Sequence, residues 1–99
     1  MTRFSAHEPA TSSLLVDDDA VRVTRWDFAP GAETGWHRHG LAYVVVALTD
    51  CPFLVVSEAG EQRVDVPAGT AYSRDAGIEH NVVNGGERPM SFVEIELKR

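Results

Sequence analysis

Three of the chain's four histidines fall in two short clusters, Gly35-Trp36-His37-Arg38-His39-Gly40 and Gly77-Ile78-Glu79-His80-Asn81. A neutral imidazole offers a nitrogen lone pair to borderline divalent metals, and three such nitrogens on one side of an ion leave positions open for water, substrate or oxygen. On an extended strand, residues i and i+2 project to the same face, so His37 and His39 can stand side by side while Arg38 points away. His80 follows across an intervening hairpin, and closing a small barrel would bring its strand opposite the first pair. Taken alone, a His-x-His pair also fits two histidines in a polar turn or satisfied inside a core. Cys51 is the single cysteine, so no internal disulfide and no thiolate zinc site can form within one chain. A metal site here must use nitrogen and oxygen ligands.

Positioning such a set requires strands, and strands are what the rest of the sequence offers. Short β-rich runs are expected at Leu14 to Val16, Val21 to Phe28, Gly35 to Arg38, Tyr43 to Leu48, Phe53 to Ser57, Gln62 to Val66, Thr70 to Arg74, Ile78 to Val83 and Ser91 to Leu97. Between them stand turn signals: Pro30-Gly31, Glu58 to Glu61, Pro67-Ala68-Gly69, Asp75-Ala76-Gly77 and Asn84-Gly85-Gly86. These residues supply fixed or positive φ where a chain must reverse. No helical period is evident, and the pattern is that of an all-β sandwich or barrel. Residues 1–12 read as an N-terminal arm and residues 13–99 as the barrel domain. Tyr43 to Leu48 is apolar on both alternating faces, so one face must meet a second layer, either another sheet or a second subunit. A core built from 99 residues is small, which makes a homodimer attractive. In Val21 to Phe28 the apolar parity changes, which suggests a bulge or a face turning from core to interface.

Composition narrows the function classes. The chain is 43% hydrophobic and 24% charged, an ordinary globular balance that should fold as one domain. A net charge of −6 without a Lys/Arg cluster would repel a phosphate backbone or an anionic bilayer. The longest apolar run, Leu41 to Leu48, is far short of the roughly 20 residues of a membrane helix, and Met1 to Ala10 has no signal-peptide core. The expectation is a cytoplasmic protein whose partner is a small molecule rather than nucleic acid or membrane.

The spacing Gly31, five residues, His37, one, His39, three, Tyr43 resembles the first signature of the cupin superfamily. Gly69, five residues, Asp75, one, Gly77, two, His80, three, Asn84 resembles the second. Together they cover residues 31 to 84. The string Gly35-Trp36-His37-Arg38-His39 followed by Tyr43-Val44-Val45-Val46 also resembles small bacterial cupins linked with β-alanine degradation. The resemblance implies a double-stranded β-helix, or jelly-roll barrel, with one divalent transition metal (Fe, Mn, Zn, Ni, Co or Cu) in its mouth, held by His37, His39 and His80. Two departures matter. Tyr43 replaces the family's glutamate ligand, and its neutral phenol is a poor donor unless the metal deprotonates it. Asp75 and Asp50 replace the motif's proline and terminal glycine. Losing the carboxylate raises the charge of a divalent centre and loosens the hold on the ion. Some three-histidine cupins are iron dioxygenases acting on diketones or thiols, while other members are isomerases, sugar binders or metal-free sensors. The resemblance thus implies a metal-dependent enzyme, dioxygenase chemistry included, or a non-catalytic ligand-binding or sensory barrel.

The remaining candidates each carry two readings. Tyr43 could orient a metal-bound water or substrate, or serve as a core residue with its hydroxyl at the rim. Glu79 points away from His80 by strand alternation and suits a solvated face better than a general base. Asn84 shares the parity of His80 and is expected to stabilise the strand end. Trp36 by parity opposes His37 and suits packing or an interface. Cys51 reads as a small buried residue, His7 as binding nothing, and Arg25, Arg38 and Arg74 as surface ion-pairing groups.

Overall fold

The β-branched and aromatic runs form nine strands and no helix among residues 7–99, which the computed structural model describes. They are β1 (Thr11–Asp17), β2 (Val21–Phe28), β3 (His37–Arg38), β4 (Tyr43–Ala47), β5 (Cys51–Ser57), β6 (Gly60–Val66), β7 (Ala71–Arg74), β8 (Glu79–Asn84) and β9 (Met90–Leu97). Two antiparallel sheets result. One has the order β1-β2-β9-β4-β7 and the other β3-β8-β5-β6, the two layers of a jelly-roll barrel. Neighbours in each sheet are mostly distant in sequence, so the fold is set by long-range pairing rather than by local turns.

Alternation places the core between the layers. Along β4 Tyr43, Val45 and Ala47 are buried while Val44 and Val46 are only half-buried. Phe28, Met90 and Phe92 from one sheet meet Cys51, Phe53, Val66 and Val82 from the other. Phe92 sits at the centre, stacked on Phe28 at 5.5 Å and edge-on to Phe53 at 5.4 Å between ring centroids.

Several details differ from the sequence expectations. β1 begins at Thr11, two residues inside the expected arm, because six of its seven residues find partners on β2, the register shifting around the unpaired Leu15. The bulge therefore lies in β1, between Leu14 and Val16. β2 itself pairs with β9 over all eight residues without a break. Its parity change is a change of face: Trp26 and Phe28 turn toward the core, and Val21 and Val23 toward the outside of the sheet. The part of the expected arm at residues 1–6 lies outside the described residues. Just after it, Glu8 to Ala10 packs along Glu33 through backbone hydrogen bonds of 2.7 and 2.9 Å. Gly31, Gly69 and Gly77 take positive φ in their turns as expected. Gly85 and Gly86 do not. A Cβ on Gly86 would come within 2.6 Å of the Pro52 ring, so this turn needs close approach rather than an unusual φ.

Candidate metal centre

β3 is only two residues long, yet it carries the register that matters. His37 pairs directly with His80 and Arg38 with Glu79. Antiparallel partners project to the same face, so His37 and His80 point inward while Arg38 and Glu79 are exposed. His39 follows as the strand ends, its amide donating to the Ile78 carbonyl at 2.9 Å, and its side chain is buried. The three rings converge. His37 Nε2 lies 3.0 Å from His39 Nε2, which lies 3.1 Å from His80 Nε2, and the rings meet edge to face at 70 to 90°.

Three nitrogens aimed at one point cannot all satisfy one another. His37 Nδ1 lies 2.9 Å from the Gly35 carbonyl, an acceptor only, so the ring proton belongs on Nδ1 and the Nε2 lone pair faces the cluster. Burial, reinforced by the neighbouring imidazoles, pushes His39 and His80 down to about 4, so both stay neutral at ordinary pH. Nitrogen donors at about 2.1 Å from a metal, set at right angles, stand about 3.0 Å apart. The donor set and its spacing therefore fit a divalent transition ion on one face.

The support behind the cluster comes from residues not singled out in the sequence. Asn81 accepts the Gly35 amide at 3.0 Å and donates to Glu33 at 2.8 Å. The Thr34 hydroxyl donates to the Gly35 carbonyl at 2.9 Å, lies 3.2 Å from His37 Nδ1 and accepts the Val82 amide at 3.1 Å. Loop 33–35 is thus bolted to β8 next to His80, which fixes the position of His37. Only tertiary pairing brings Thr34 and Asn81 together, so neither residue type signalled this role.

Tyr43 stands beside the cluster. Its ring stacks on His39 with centroids 3.9 Å apart and planes 19° apart, and burial pushes the phenol up, so it stays protonated. The other candidates fall out as follows. Asn84 is fully buried and donates to the carbonyls of Phe28, Ala29 and Arg88 while accepting the Gly86 amide, which makes it a strap for the strand end. Cys51 is buried and donates toward the Thr49 and Ser91 carbonyls, with its thiol pushed up by burial. Trp36 is 43% exposed, so it does not pack in the core. His7 contradicts its expectation: its Nδ1 lies 3.2 Å from the Glu33 carboxylate, brought there by the packing of residues 8–10. Arg25 pairs with Asp27 at 3.1 Å, whereas Arg74 lies 4.7 Å over the Tyr72 ring and pairs with no acid among the described residues.

In front of the imidazoles opens a cavity of about 50 Å³. His37, His39 and His80 form one side, and Trp26, Tyr43, Tyr72, Phe92 and Glu94 the other. Glu94, Trp26 and Tyr72 were not expected at the site. Glu94 did leave a sequence signal, an acid two residues after Phe92 on an otherwise inward face.

Comparison with known proteins agrees with this architecture. A family model described as a cupin domain matches residues 24–96. A Pseudomonas aeruginosa protein named beta-alanine degradation protein BauB is 49% identical over 95 residues, covering 96% of this chain and all of that one. The crystal structure of a cupin domain from Bordetella pertussis superposes with a TM-score of 0.92 at 41% identity, covering 97% of this chain and all of the other. The polyketide cyclase RemF from Streptomyces resistomycificus shares the fold at a TM-score of 0.73 and 20% identity, over 96% of this chain and 71% of its own. With two facing sheets, three inward imidazoles and these likenesses, the chain belongs to the cupin family.

Proposed function

We propose that this cupin is a metal-dependent enzyme acting on a small molecule, with His37, His39 and His80 as the ligands of one divalent transition ion. The observation that carries the reading is the convergence of three neutral Nε2 atoms, 3.0 and 3.1 Å apart, at the wall of a cavity. A divalent ion held there supplies a Lewis-acid or redox centre, dioxygenase chemistry among its options. The chain's own residues do the rest. Thr34 and Gly35 hold the His37 tautomer, Phe53, Val82 and Phe92 exclude water from the cavity, and Tyr43 presents a neutral hydroxyl to orient a bound molecule. The name of the Pseudomonas relative supports a substrate drawn from the breakdown of β-alanine.

A second reading, a ligand-binding barrel without turnover, is favoured by Tyr43 standing where the family places a glutamate ligand. Elemental analysis of the purified protein, followed by oxygen uptake of the iron-loaded form with small diketones, thiols and carboxylic acids, separates the two. Stoichiometric metal with turnover supports the enzyme, saturable binding without turnover supports the second reading, and a chain that retains no added divalent metal overturns the ligand assignment.

A second copy of this chain is the partner that fits the outer face of the five-stranded sheet. Val23, Ile95 and Val44 form one cross-strand row there and Val93 and Val46 the next, all half-buried rather than covered. A two-fold interface sets such an apolar patch against itself, enlarging a small core. Sedimentation at micromolar concentration should give a dimer, and Ile95→Glu a monomer; a monomeric wild type refutes the pairing.

A further inference from the structure

The wall opposite the histidines holds an acid with no assigned task. β-sheet register sets Thr24, Glu94, Val45 and Tyr72 in a single row across β2, β9, β4 and β7. Trp26 lies one inward step deeper on β2, level with Phe92. Glu94, Trp26 and Tyr72 all line the cavity. No hydrogen bond or ion pair joins the Glu94 carboxyl to another described residue. The row nearer the mouth is Arg22, Glu96, Tyr43 and Arg74. Its cations already have partners: Arg22 is 3.6 Å from Asp17, and Arg74 lies 4.7 Å over the Tyr72 ring. Burial holds the Glu94 carboxyl up at about 7, and repulsion from Glu96 on the same face adds to that.

A half-buried carboxyl with no partner among the described residues, beside a second acid and in a cavity that Trp26 and Tyr72 also line, is an environment that a positive charge would relieve. The carboxylate supplies the counter-charge, and the indole and phenol faces add cation–π attraction. We propose that Glu94, Trp26 and Tyr72 form a receiving site for the cationic nitrogen of a small molecule, a primary ammonium group, at the end of the cavity away from the imidazoles. The site deepens the reading of this cavity as a substrate pocket but needs no metal. A molecule filling it would carry its ammonium toward β9 and its reacting end toward His37, His39 and His80.

The test uses the full chain as purified, at about pH 8, titrated with n-butylammonium, with 1-pentanol as the uncharged control of similar length and butyrate as the anion. Binding is read from amide shifts of Thr24, Val45 and Glu94 in two-dimensional NMR. The wild type should bind butylammonium about tenfold tighter than pentanol, and Glu94→Gln should lose that preference while binding pentanol as before. Equal binding of the two probes by the wild type, no saturable binding of butylammonium, or an unchanged preference in Glu94→Gln overturns the proposal. The Glu94→Gln thermal transition confirms that the variant folds, and a variant that does not is replaced by Glu94→Asp, which should weaken the preference by moving the charge back. Metal content, measured separately on His37→Ala, reports on the metal reading alone, so either idea can fail without the other.

Discussion

On the β3–β8 side of the cavity the backbone and side chains around the central imidazoles are tied to one another, whereas on the β2–β9–β4–β7 side Glu94 faces the cavity with no hydrogen-bond or ion-pair partner among the described residues. Thr34, Gly35 and Asn81 lock the His37 ring through contacts of 2.9 to 3.2 Å. Glu94, in contrast, has no hydrogen bond or ion pair to another described residue. The difference teaches a division of labour. Groups that must meet one ion at fixed distances are braced, because a small displacement loses coordination. Groups that meet a variable organic molecule gain from being left unsatisfied until it arrives.

The largest effect should come from the braced wall. His80→Ala should cut retained divalent metal by about a hundredfold in affinity or more, since it removes a donor outright, while Glu79→Ala, on the exposed side of the same strand, should leave retention unchanged. Metal titration monitored by elemental analysis decides it. Equal retention in both variants would mean that the imidazoles, close as they are, are not the ligands.

The next effect tests what holds that wall from behind. Asn84→Ala leaves three carbonyls and one amide short of a partner in a fully buried position, and should cost about 2–4 kcal/mol in urea unfolding. Loss of metal without loss of stability would place Asn84 in the site instead of behind it. A smaller change, Thr34→Val, should keep the fold and lower metal affinity about tenfold by releasing His37 from its oriented tautomer; an unchanged affinity would show that the Gly35 carbonyl alone suffices.

The contrast between walls is also a contrast in what the sequence could reveal. The histidines were legible because metal chemistry restricts residue type and because i, i+2 spacing on a strand needs no knowledge of the fold. The strands were legible for the same reason: alternation in Tyr43 to Leu48 and the turn pairs between runs are local signals, and all nine runs form. What stayed hidden depends on register between distant strands. Thr34 reaches Val82 and Asn81 across 48 and 47 residues, and the row of Glu94 and Tyr72 exists only once β9 pairs with β4 and β4 with β7. The parity change in β2, which suggested either a bulge or a turn of face, illustrates the same limit. One strand's pattern does not say which of the two occurs; here β2 keeps its register with β9 and the change is one of face.

Glu94 offers the finest test of the unsatisfied wall, because its proton equilibrium connects the cavity to stability. Its folded value, about 7, lies above the ordinary 4.5. Below about pH 4.5 the carboxyl is neutral in both folded and unfolded chains and carries no penalty. As pH rises toward 7 the unfolded chain releases its proton first, so stability falls across that window and levels off above it. The groups facing Glu94 are Glu96 on its own strand, Tyr43 on β4, Tyr72 and Arg74 on β7, Arg22 on β2 and the imidazoles across the cavity; of these only Glu96 joins burial in raising it. Glu94→Gln removes the ionisation, so the variant should match the wild type near about pH 4 and exceed it by about 1–3 kcal/mol near about pH 8. Unfolding curves at the two pH values measure the difference of differences. A gap that does not widen with pH would mean that the carboxyl already has a partner in solution, and the two walls would then be more alike than their geometry suggests.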